Sequence, residues 1–116
     1  MSEIENVQIK SADLSMADHG CFTLALVVEG SGWFTTIGGY SLGHGYLGAT
    51  KFEGSPKGIE EIMQIMNVVG VDRFSDLKGK YIRVETNGNG PIKRFGHIIE
   101  DKWFDYREFY KKESDK

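Results

Sequence analysis

One cysteine, two prolines and three histidines are all that the 116 residues contain of the types around which disulfide frameworks, proline-rich linkers and zinc sites are built. Cys21 has no second cysteine to bond within the chain, and His19, His44 and His97 are scattered without metal-ligand spacing. No metal or other cofactor is expected. Runs of about 18 apolar residues, the length a membrane-crossing helix needs, do not occur. The opening "MSEIENVQIK" is acidic and polar where a secretory signal would be basic and then apolar. These absences predict a cytoplasmic protein with no membrane partner. Positive charge is also in short supply, since the net charge is −3, which argues against a nucleic acid polymer as partner because such binding rests on a basic surface.

What is present is the balance of an ordinary folded domain, 40% hydrophobic and 27% charged. The length suits one domain spanning 1–116 with one core, and no repeat, low-complexity tract or linker interrupts it. The charge is uneven. Residues 1–30 hold five acids against Lys10, whereas the segment 78–94 holds Lys78, Lys80, Arg83, Lys93 and Arg94 against Glu85 alone. Such a segment is either a solvated surface or a site for a small anionic ligand.

Local patterns predict an α+β fold: an antiparallel sheet of about five strands, a meander plus a hairpin, with one main amphipathic helix and a short C-terminal helix. The meander is "VQIKSADLS", "CFTLALVV" and "WFTTIGGYSL", and in its second strand Phe22, Leu24, Leu26 and Val28 alternate with smaller residues. Ser55 and Pro56 open the main helix as N-cap and first-turn proline, and Gly70 closes it. Ile59, Ile62, Met63, Ile65, Met66 and Val69 form its apolar stripe, with both methionines expected in the core and Glu60 and Glu61 on a solvated face. "YIRVET", "NGNGP" and "IKRFGHII" form the hairpin around an Asn-Gly turn. The terminal helix is expected to take Asp101 as its cap, with Trp103, Tyr106, Phe109 and Tyr110 on one side.

"GGYSLGHGYLG", residues 38–48, contains a literal G-x-G-x-x-G at Gly43, Gly45 and Gly48. In a dinucleotide fold those glycines join a strand directly to a helix whose first amides hold a pyrophosphate. Here "ATKFEGSP" intervenes, so a glycine-rich strand end and loop is expected instead. Catalytic machinery is equally hard to assemble, because no G-x-S-x-G elbow exists and Cys21 lies in an apolar strand without an activating partner. For an enzyme acting on a nucleotide, only His97, Asp101 and Glu85 are on offer as general acid or base. The expectation is a protein without enzymatic activity.

Binding is easier to support. Arg83, Lys93 and Arg94 flank the Asn-Gly turn, then come His97, Lys102, Trp103 and Arg107, so bases and aromatics alternate over one short stretch. Arginine suits phosphate and an aromatic face suits a purine. Trp103, Tyr106 and Phe109 equally suit anchoring a terminal helix to the core.

The order of "SADLSMADHG", "GGYSLG", "DLKGKYIRV" and "FGHIIEDKWF" resembles, over about residues 4 to 110, the small phage proteins that inhibit bacterial Thoeris immunity by sequestration, the first type of Thoeris anti-defence sponge. The resemblance implies a non-enzymatic homo-oligomer, a dimer or a dimer-based hexamer, in the host cytosol. Its ligands would be the glycocyclic ADP-ribose isomers made by TIR-domain enzymes and, in some members, the cyclic oligonucleotides of CBASS immunity. It implies aromatic stacking on adenine, with arginines or an asparagine on phosphates and ribose. Carried onto this chain, those roles fall to Arg107, to Lys102 and Trp103 in "DKWF", and to Asn89. Where the family often has asparagine, "FGH" places His97. A protein that inhibits a host defence protein by direct contact, through the acidic N-terminal third and exposed aromatics, is the competing expectation.

Overall fold

The long first strand organises the molecule. In the computed structural model, which describes residues 2–18, 20–87 and 91–114, β1 runs from Ser2 to Asp18 and serves two partners in turn. Its first half pairs antiparallel with β5 (Tyr81–Asn87), from Ser2 opposite Asn87 to Gln8 opposite Tyr81. Its second half pairs with β2 (Cys21–Glu29), from Gln8 opposite Glu29 to Asp18 opposite Cys21. A bulge between Ile9 and Ser11 marks the handover, and such an extra residue bends a strand and increases its twist.

Outward from β2 lie β3 (Phe34–His44) and the two-residue β4 (Glu53–Gly54), and outward from β5 lie β6 (Ile92–His97) and the two-residue β7 (Trp103–Phe104). The described sheet therefore has seven strands, in the order β4-β3-β2-β1-β5-β6-β7, where the sequence predicted about five. The α+β class, the antiparallel sheet, the main helix and the short C-terminal helix are as expected. The two extra strands are too short to show any alternation, and each exists because an edge backbone offers it hydrogen bonds.

Helix α1 (Pro56–Val69) follows β4. The Ser55 side chain accepts the Gly58 N–H at 3.0 Å, and Gly70 adopts the left-handed conformation (φ 92°) in which its N–H reaches Met66 O. Ile65, Val68 and Val69 pack onto a core formed by Val7, Ile9, Leu24, Leu26, Val28, Ile82, Val84 and Phe95. A 3-10 turn at Phe74–Leu77 adds Leu77 beneath it.

Three local expectations are corrected. Glu61 is not solvated but wholly buried, because α2 (Tyr106–Ser114) lies against that flank of α1 and brings Tyr110 onto its carboxylate. Met66 packs on the core as expected, but Met63 is 64% exposed. Asp101 does not cap α2, since its carboxylate accepts Trp103 Nε1 at 2.8 Å while Asp105 accepts the Arg107 and Glu108 N–H groups. Trp103 accordingly belongs to an edge strand and not to the helix.

Candidate ligand-binding cleft

Along the inner face of the sheet, three strands change character at the same level. Glu3, Glu5, Val7 and Ile9 share that face of β1, and only Val7 and Ile9 are buried. On β5, Ile82 and Val84 are buried while Thr86 is not. On β3, Ile37 is buried and Thr35 exposed. A core does not tolerate carboxylates facing inward without partners, so the change marks where the packed layer ends. Beyond it lies a cleft of about 820 Å³, within the range of sites that hold small molecules.

The floor of the cleft carries Glu3, Glu5 and Thr86. Trp33, Thr35, Thr36 and Ile37 bound it on the β3 side, and Ile92, Lys93, Tyr106 and Arg107 on the β6 and α2 side. Trp33 is fixed by its indole N–H, which donates to Glu5 Oε2 at 3.1 Å, and the Ser31 backbone N–H donates to the same oxygen at 3.1 Å. Gly30 makes this fit possible, for a Cβ there would stand 2.5 Å from Glu5 Oε2 and 2.6 Å from the Trp33 ring. Tyr106 is fixed by an edge-on contact with Phe104, with ring centroids 4.8 Å apart at 90°. Behind it, Glu61 has its pKa raised by burial, and the Tyr110 hydroxyl, which donates to its carboxylate, opposes that rise. Arg107 begins α2 where Asp105 caps it, and its guanidinium makes no ion pair among the described residues. The cleft thus combines two aromatic groups, an acidic floor and a cationic rim.

Arg83, Arg94 and Trp103 lie elsewhere. The pairing Arg83–Gly96–Trp103 puts them on the outer face, where the absence of a side chain at Gly96 lets the indole lie flat over the sheet. The Arg83 and Arg94 guanidinium carbons sit 4.8 and 4.1 Å from the indole centre. Arg94 Nε donates to Glu85 Oε1 at 2.7 Å, while Arg83 donates to the carbonyls of His97 and Glu100 at 2.7 and 2.8 Å. His97 Nδ1 accepts the Ile99 and Glu100 N–H groups at 3.0 and 2.9 Å, and Lys102 Nζ reaches Asn67 O at 3.3 Å. Each of these five residues is engaged in holding the 97–104 segment together. Of the residues singled out from the sequence, Lys93, Tyr106 and Arg107 line the cleft, and Asn89 lies outside the described residues.

Compared with models of protein families, with curated proteins and with solved structures, the chain matches none. The functional argument therefore rests on the cleft. Sequence reasoning did not single out Glu3, Glu5 or Trp33 for it. Their signal was available in β1, where "SEIEN" puts two acids in the same alternation that later carries Val7 and Ile9 inward. The glycine-rich stretch behaves as expected, as the end of β3 and the loop after it, with no helix at its end. Among the described residues of that stretch, Gly38 lines the cleft. It has φ 126°, and a Cβ there would meet Leu24 O at 2.2 Å.

Proposed function

We propose that the protein is a non-enzymatic phage anti-defence protein that binds and sequesters cyclic nucleotide immune signals in the host cytosol. Glycocyclic ADP-ribose isomers are its first ligands and cyclic oligonucleotides its second, and their removal blocks Thoeris and CBASS immunity. The observation that carries this reading is the cleft between Trp33 and Tyr106, with Arg107, which makes no ion pair among the described residues, at its rim. Adenine stacks on an aromatic face for roughly 1–3 kcal/mol per base, and phosphate pairs with arginine through charge-assisted hydrogen bonds. Sequestration needs no general acid or base, only a slow release. The resemblance to the first type of Thoeris anti-defence sponge supports the same conclusion.

The test is to incubate the protein with cyclic ADP-ribose isomers and cyclic di- and trinucleotides, filter, and heat the retained fraction. Release of intact ligand is the expected result, and altered ligand would mean catalysis. No retention would favour direct inhibition of a host protein. That second reading draws on the loop before β4, which exposes Tyr46, Leu47 and Phe52, with Leu47 90% exposed. In the sponge reading the same loop serves contacts between copies of the chain.

A further inference from the structure

We infer that the Glu5 carboxylate is the hydroxyl-reading group of the cleft and makes it selective for ligands with a free ribose hydroxyl beside the base over their deoxyribose counterparts. This inference deepens the nucleotide-binding reading and rests on it. Glu5 sits on the floor in register with Val84, at the level where the inner face turns from apolar to polar. Glu5 is half-buried there, so its carboxylate has lost part of its hydration and favours a hydrogen-bond donor.

Its geometry is set in advance. Oε2 receives both the Ser31 N–H and the Trp33 indole N–H, so the side chain is held by one oxygen. Oε1 makes no hydrogen bond among the described residues. A carboxylate accepts and does not donate, so the group that completes Glu5 must be a donor. The phosphates of a nucleotide cannot serve, because they bring no proton to donate and Glu3 and Glu5 repel them, directing them toward Arg107 at the rim. A ribose hydroxyl can serve, and the ribose that joins base to phosphate keeps one free when its other hydroxyl carries the glycosidic or phosphodiester link. With a base against the Trp33 ring, the sugar comes beside the carboxylate that the same indole holds. The wall that stacks the base and the acid that reads the sugar are therefore one assembled unit.

The experiment is calorimetric titration of the full chain with each cyclic ADP-ribose isomer, and with the same isomer lacking the free hydroxyl of the ribose that joins base to phosphate. The wild type should bind the parent isomer about tenfold more tightly or better, the difference between a charge-assisted and an absent hydrogen bond. Glu5→Gln keeps the shape and an acceptor for Trp33 and Ser31. It should weaken the parent isomer to near the deoxy level and leave the deoxy isomer almost unchanged. Equal affinity of the wild type for both isomers would overturn the Glu5 inference while leaving nucleotide binding intact. Equal weakening of both isomers by Glu5→Gln would assign Glu5 to positioning Trp33 alone and also overturn it. Failure of every isomer to bind the wild type would overturn this inference and the nucleotide reading together.

Discussion

Replacing Glu61 by glutamine should stabilise the protein in alkaline buffer and hardly change it in acid. Glu61 is wholly buried on α1, Tyr110 donates to its Oε1, and its Oε2 has no partner among the described residues. Burial raises its pKa above the ordinary glutamate value, so the folded state holds this proton more firmly than the unfolded chain does. The contribution to stability is then fully present below the unfolded-state pKa and is lost as pH rises through the folded-state value. Glutamine has the shape of the protonated acid and does not titrate. A buried polar group without its partner typically costs about 1–3 kcal/mol, and more when charged. The variant should thus gain at least about 1 kcal/mol over the wild type at the alkaline end, or about 4 °C in Tm for a chain of this size. Thermal melts of both proteins across mildly acidic to mildly alkaline buffers measure the gap. Two Tm curves that run parallel over the whole range would refute the assignment, because no ionisation of Glu61 would then be linked to folding.

Arg107→Ala should weaken nucleotide binding tenfold or more with Tm unchanged, whereas Arg83→Ala and Arg94→Ala should lower Tm and leave the affinity of the folded protein near the parent value; calorimetry and thermal melts separate the two patterns, and an unchanged affinity in Arg107→Ala would remove it from the site. Gly30→Ala should cost roughly 1–3 kcal/mol by forcing Trp33 off Glu5, seen as a lower Tm and a shift in tryptophan emission, and a neutral effect on both would contradict the packing at Gly30. By light scattering at micromolar concentration the parent should be at least a dimer, and Leu47→Ser combined with Phe52→Ser should reduce its mass; a monomeric parent would count against oligomerisation.

Much of the fold was legible because its signals are local. The alternation of "CFTLALVV", the Ser55-Pro56 start and the Gly70 stop each depend on a few neighbouring residues, and the structure has β2 and α1 where those signals place them. Glu61 was misread because its partner Tyr110 stands 49 residues away, and no spacing within α1 announces that a second helix will cover that flank. The candidate site was legible in kind and not in place. Arginines and aromatics do cluster after the hairpin, but the period-two geometry of β5 and β6 turns Arg83 and Arg94 to the outer face, where Trp103 and local carbonyls occupy them.

By itself the sequence determined the α+β class, the main helix with both its ends, the hairpin pairing of β5 with β6 and the composition of a chain with a single cysteine and few histidines. These follow from propensities, caps and periodicities that act over a turn or a strand. Tertiary structure alone decided that β1 would pair on both sides, that two-residue segments would become edge strands, and that Glu3, Glu5, Trp33, Tyr106 and Arg107 would meet around one cleft. Those residues come from three separate parts of the chain. Register and layer packing bring them together, and both depend on which backbones find each other across long loops, where no local preference has a say.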